Sequence, residues 1–203
     1  MYKKLMLACT ALAAFAAFVI APAAQGAVLT EGGVAIANGS SITALNESGT
    51  KAKFTGGFGV ECEVAHLKGT VTSNNSGSGT VSGEIPLGSA TFTNAGGAAC
   101  SSALGATTVT VTSKLCLDIA KGSDNVVTTG CGGNVIFDLK AAGITCKYET
   151  ASVTGVATTG TGTVKVSKAP ASEVGGIFFC PDTGELDMEF NVTTTNGTAV
   201  TLS

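Results

Sequence analysis

Two short strings in this 203-residue chain have the residue types of a penicillin-recognising serine enzyme. Ser48-Gly49-Thr50-Lys51 has the S-x-x-K spacing, and Ser123-Asp124-Asn125 reads S-D-N. That chemistry needs the Ser at the head of a buried helix, the Lys one turn further on, and a Lys-Thr-Gly strand beside them. The residues around Ser48 are of extended type and the chain contains no Lys-Thr-Gly, so both strings read as chance matches in a Ser- and Thr-rich sequence. His66, the only histidine, would need a nucleophile and an orienting acid to act as a base, and alternation sends Glu61 and Glu63 to the face opposite Cys62. Glu185, Asp187 and Glu189 have the types needed for glycoside hydrolysis or calcium binding, but their i, i+2, i+4 spacing is that of a solvated strand face. The glycine-rich loops lack the Lys and the strand-to-helix setting of a phosphate cradle. No catalytic residue, cofactor or metal is assigned, and the expectation is a protein that is not an enzyme.

Cysteine carries a clearer signal. Cys62, Cys100, Cys116, Cys131, Cys146 and Cys180 form an even set, with no C-x-x-C pair and one histidine in the whole chain, which favours three disulfides over zinc. Six cysteines allow 15 pairings. Spacing does not choose among them, although Cys116 with Cys131 would staple adjacent strands across a modest loop. A seventh, Cys9, sits in the apolar stretch near the N-terminus.

That stretch has the three parts of an export signal. Lys3 and Lys4 precede an apolar run from Leu5 to Ile20, and small residues follow from Ala21 to Ala27 around Pro22. Ala24-Gln25-Gly26 sets cleavage before Ala27, with Ala21-Pro22-Ala23 as the second choice. The division is then residues 1–26 as signal peptide and 27–203 as one extracellular domain, with no membrane span in the mature chain, because the run falls short of the roughly 20 residues a spanning helix needs. Without the leader the chain has 9 Lys against 14 acids, and it has no Arg. It therefore lacks the basic stripe and the guanidinium fork of a nucleic-acid binder. Gly, Thr and Ser fill 73 of the 203 positions, which excludes a long helical array.

The dominant period is two. Leu186, Met188, Phe190 and Val192 alternate with Glu185, Asp187, Glu189, Asn191 and Thr193, predicting a half-buried strand. Its approach, Pro181-Asp182-Thr183-Gly184, is turn chemistry and predicts a closing hairpin with Ile177 to Cys180. Val109, Val111, Leu115, Leu117 and Ile119 predict one long strand. Val135, Phe137 and Leu139, then Ile144, Cys146 and Tyr148, repeat the pattern. The phase changes near His66, where a bulge or break is expected, and Ala98 to Ala106 is the one stretch read as a short helical turn. Ten to twelve strands at short spacing give an all-β chain, a single disulfide-stapled β-sandwich or Greek-key barrel, with a β-helix as the alternative. An outer-membrane barrel is disfavoured because aromatic girdles are missing.

The stretch from Cys62 through Leu67-Lys68-Gly69-Thr70-Val71-Thr72, Ala90-Thr91-Phe92-Thr93, Ala99-Cys100-Ser101 and Gly130-Cys131-Gly132 to Ile144-Thr145-Cys146 resembles the bacterial secreted activators of alkane oxidation. It is also similar to a wider set of uncharacterised, cysteine-paired, Thr/Gly-rich exported bacterial proteins. The resemblance covers residues 54 to 155 and rests on Cys spacing and G-T-V-T-type strands. It implies an extracellular, non-enzymatic protein that helps cells use or adhere to hydrophobic substrates within a biofilm matrix, and it carries over no site residue. The expected function is that of a secreted structural or adhesive protein of the cell surface or matrix. Expected partners are further copies of itself, surface or matrix components, and no nucleic acid. The alternative is a soluble carrier enclosing a small apolar ligand near Phe178 and Phe179, and a secreted hydrolase is the remote third.

Overall fold

The computed structural model describes residues 27–56, 58–75, 79–175 and 178–203. The expected signal peptide, residues 1–26, lies outside the described residues. The strands are β1 (Leu29–Glu31), β2 (Val34–Ala35), β3 (Ser41–Asn46), β4 (Ala52–Thr55), β5 (Val60–Cys62), β6 (Val64–Asn74), β7 (Thr80–Ile85), β8 (Ala90–Thr93) and β9 (Cys100–Ser102). They continue with β10 (Gly105–Val111), β11 (Leu115–Ala120), β12 (Asn125–Gly130), β13 (Val135–Ala141), β14 (Ile144–Thr150), β15 (Val153–Thr158), β16 (Thr163–Glu173), β17 (Thr183–Thr194) and β18 (Val200–Leu202). Among the described residues the one helical piece is a 3-10 turn at Ala95–Gly97.

All the ladders are antiparallel, and they close twice. One ring runs β3-β17-β16-β15-β12-β11-β7-β6 and returns to β3. A second runs β4-β17-β16-β14-β13-β10-β9-β5 and returns to β4. The two orders match position by position, since β3 leads into β4, β5 into β6, β7 through β8 into β9, β10 into β11, β12 into β13 and β14 into β15. The rings are therefore the lower and upper storeys of one up-and-down barrel with eight columns, each column hydrogen-bonded to its neighbours in the sequence. Only β16 and β17 run through both storeys, and the 12 residues of β17 span roughly 40 Å. A bulge marks the junction. Val166 faces Met188 and Ala169 faces Leu186, so Ser167 and Lys168 together oppose Asp187, whose Oδ1 accepts the Lys168 N–H at 3.0 Å.

The all-β chain thus forms a barrel, but its connections are up-and-down and not the expected Greek key, because each column pairs with its neighbours in the sequence, and the antiparallel ladders set aside the β-helix alternative. Closure also removes most of the free strand edges through which copies could pair.

The alternation read from the sequence sorts residues between lumen and solvent. Phe190 is buried while Glu185 and Asn191 on the other face are exposed. Val135, Phe137 and Leu139 on β13 and Cys146 and Tyr148 on β14 point inward. This apolar-in, polar-out pattern is the reverse of a membrane-spanning barrel. Among the described residues no helix is long and apolar enough to cross a membrane.

Four local expectations need correction. The long strand from Val109 to Ile119 is two strands, β10 in the upper storey and β11 in the lower. The chain breaks at Thr112–Lys114, where Ser113 Oγ accepts the Ile136 N–H at 2.9 Å, and the periodic phase carries across the break. The phase change expected near His66 falls at Glu63, between β5 and β6. The stretch Ala98–Ala106 forms β9 and the start of β10 instead of a helical turn. Finally, of the expected partner strand Ile177 to Cys180, Ile177 lies outside the described residues and Phe178 to Cys180 form no strand. The closing hairpin is β16 with β17, and the described residues between them, 174–175 and 178–182, form no strand.

Both ends of the barrel are filled. At the lower end a separate sheet, β18-β1-β2, brings the two ends of the described chain together. Asn74, buried at the end of β6, holds this cap: its Oδ1 accepts Leu29 N–H at 2.8 Å, and its Nδ2 donates to the carbonyls of Leu29 and Ile36 at 2.8 and 2.7 Å. At the upper end Phe54, Phe137 and Tyr148 form an aromatic plug with ring centroids 4.6 to 5.7 Å apart.

Candidate functional site

The six cysteines pair as Cys62–Cys100, Cys116–Cys131 and Cys146–Cys180. Cys62–Cys100 ties β5 to the start of β9 and is buried in the upper storey. Cys116–Cys131 lies on the outside of the barrel, with Cys131 exposed. Cys146–Cys180 pins the segment 178–182, which leads into β17, to β14. Three such bridges suit an oxidising compartment.

The residues that mimic a serine enzyme are not brought together. Ser48 is in the exposed turn between β3 and β4, and Lys51 Nζ is bonded to Glu61 Oε2 at 2.8 Å, with Lys53 reaching Glu61 Oε1 at 3.1 Å. These contacts lower the Glu61 pKa, through hydrogen bonds from Lys51 and then Lys53, and raise that of Lys51 through its bond to Glu61. Ser123-Asp124-Asn125 leads from the β11–β12 turn into β12 on the lower rim, where Ser123 Oγ accepts the Asn125 N–H at 3.0 Å. His66 lies on the outer face of β6, opposite Leu45 and Thr91. Glu185, Asp187 and Glu189 line the outer face of β17. Asp187 serves the bulge, and Glu189 meets Lys165 at 3.7 Å. Among the described residues no group of three or more His, Cys, Asp or Glu side chains is placed to hold a metal ion.

Two apolar features remain, one inside and one outside. Inside, the lower storey holds a cavity of about 140 Å³ and the upper storey one of about 120 Å³; both are bordered by Leu67, Ile85, Leu117, Val166 and Phe190. Outside, Phe178 and Phe179 sit on the segment 178–182, 93% and 69% exposed, with their rings edge to face at 5.4 Å. Val174, just past the end of β16, is also exposed. Phe178 and Phe179 therefore do not enclose a ligand, as the carrier reading expected; two adjacent aromatics on a loop outside the ladder have no inward side to share. The lumen is lined by other residues, among them Gly69, Gly83 and Gly155, and an isolated glycine inside a strand pattern is the sequence signal that points to such a wall.

No family model, no curated protein and no solved structure matches the chain.

Proposed function

We propose that the protein is an exported, non-enzymatic component of the bacterial cell surface or extracellular matrix that makes contact with apolar material. The observation that carries this reading is the Phe178–Phe179 pair, held in solvent at the upper end of a rigid barrel by a loop that Cys146–Cys180 ties to β14. An exposed phenyl ring forgoes about 1.5–3 kcal/mol of burial, and a disulfide-pinned loop limits how far the pair can retreat. Adsorption to a hydrocarbon or lipid-like surface recovers that energy. The leader-like residues 1–26 and the three disulfides agree with export.

Hexadecane-droplet adsorption of the oxidised protein tests this reading. The double variant Phe178→Ser/Phe179→Ser is expected to adsorb roughly a hundredfold more weakly than the parent, as two rings at about 1.5 kcal/mol each imply. Equal adsorption refutes the contact role. Recovery of the protein from a cytosolic fraction with six free thiols refutes export.

A further inference from the structure

We infer that the barrel lumen is a binding site for one small neutral hydrocarbon, a single aromatic ring or a short alkyl chain. The site uses the inner wall, so it is independent of the exposed aromatic pair. Protein interiors are normally packed to the density of organic crystals, with few voids larger than a water molecule. Here about 140 Å³ is open in the lower storey and about 120 Å³ above it. An apolar cavity of roughly 150 Å³ stays dry and accepts benzene in other proteins.

The space follows from where the glycines fall. Gly69 on β6 and Gly83 on β7 stand on adjoining columns, and Gly155 on β15 stands four columns from β6 whichever way the ring is counted. Opposite walls are thus bare of side chain at the level of the lower cavity. Neighbours keep them so: a Cβ at Gly69 would lie 2.9 Å from the Glu84 carbonyl oxygen, and one at Gly155 would lie 2.8 Å from Val164 Cγ1.

The lining selects against polarity. Ile42, Val71, Leu117, Ile119 and Val126 face the lower cavity, and Thr128 brings a hydroxyl. Glu84, whose backbone borders the cavity, turns its carboxylate outward to Lys114 at 2.5 Å, and Ser82 turns its hydroxyl outward to Asp118 at 2.6 Å. A charged or strongly hydrogen-bonding ligand would lose its hydration without replacement partners.

Access need not break a ladder. Midway up the wall β8 packs beside β10, yet β8 pairs with β6 while β10 pairs with β9 and β13, so this seam is closed by side chains alone. Phe92 on β8 and Val109 and Val111 on β10 line the upper cavity at the seam.

The test is titration of the oxidised protein with benzene and with n-hexane, with resorcinol as a polar control, read by methyl NMR and by thermal unfolding. Either hydrocarbon is expected to shift the methyl resonances of Leu117, Ile119 and Val126 and, at roughly a hundredfold excess over Kd, to raise Tm by about 5 °C, while resorcinol does neither. Ala44→Leu and Ala157→Leu, which fill part of the lower cavity, should abolish the shifts. The Phe178→Ser/Phe179→Ser variant should retain them while losing adsorption to hexadecane, so the lumen site and the surface role fail separately. Absence of lumen methyl shifts in the parent protein at saturating hydrocarbon overturns the inference, as does a resorcinol response of equal size or undiminished shifts in the folded filling variants. If both filling variants fail to fold, the parent titration decides alone.

Discussion

The Phe54 ring fills the space that a side chain at Gly184 would need: a Cβ built there would run into Cζ and both Cε atoms of the ring. Gly184 begins the inward face of β17 and pairs with Ala171, while Phe54 belongs to the aromatic plug. The first aromatic position of the upper storey therefore depends on the absence of a single methyl group across the ladder. Gly184→Ala should destabilise the protein by about 1–3 kcal/mol through overpacking. Gly133→Ala, where a Cβ meets nothing within 4 Å, should stay within about 0.5 kcal/mol. Urea unfolding of the two variants beside the parent checks both values.

Tyr148 should make stability fall at high pH. Burial, with smaller contributions from Glu173 and Asp182, pushes its hydroxyl up to about 12, and the hydroxyl donates to the Pro181 carbonyl at 3.0 Å. The folded state thus holds this proton more tightly than the unfolded chain, whose tyrosine titrates near 10. The stabilisation is complete below about pH 10 and is lost between about pH 10 and 12, amounting to roughly 2–3 kcal/mol. Tyr148→Phe should lose about 1 kcal/mol at neutral pH and show a flatter decline above pH 10; stability curves of the two proteins from pH 8 to 12 read the difference.

The three disulfides should not reduce together. Cys131 is exposed and its bridge lies outside the barrel, whereas the other two bridges are buried in the upper storey. Limited reduction followed by alkylation and peptide mass mapping should label Cys116 and Cys131 first. Removing this bridge by Cys116→Ser/Cys131→Ser should cost about 3 kcal/mol, the chain-entropy value for a 15-residue loop.

The two faces of β17 should respond very differently to charge. Phe190→Asp puts an unpaired carboxylate into the lumen and should cost about 4 kcal/mol or more, while Glu189→Lys disturbs a partly exposed pair with Lys165 and should cost at most about 1 kcal/mol. Thermal unfolding compares them, and equal shifts would show that the strand faces are reversed.

The inward faces of β13, β14 and β17 were legible because alternation is local: each residue's side follows from its neighbours two positions away. Closure was not, because it depends on pairings such as Val192 with Ala44, which are set by the geometry of all eight columns together. The break at Thr112–Lys114 was hidden for a related reason, since Val111 and Leu115 keep the same phase on both sides of it. Phe178 and Phe179 read as apolar, which by pattern alone places them in an interior. A hydropathy pattern gives no means of separating a ring packed in a core from one held outside it by the bridge at Cys180. The glycines of the lumen were visible as residues, but their placement on opposing walls emerges only from the strand order.

The pairing of β1 with β18 fixes the direction in which the molecule can be tethered. Val28 and Ser203 exchange two backbone hydrogen bonds, so both ends of the described chain lie at the capped pole. The β16–β17 turn lies at the antipode. A fusion or anchor at either terminus would therefore leave the same pole facing away from the support. Joining the termini by a short linker and reopening the chain at the exposed Ala142–Gly143 turn would invert that polarity without changing a column of the barrel.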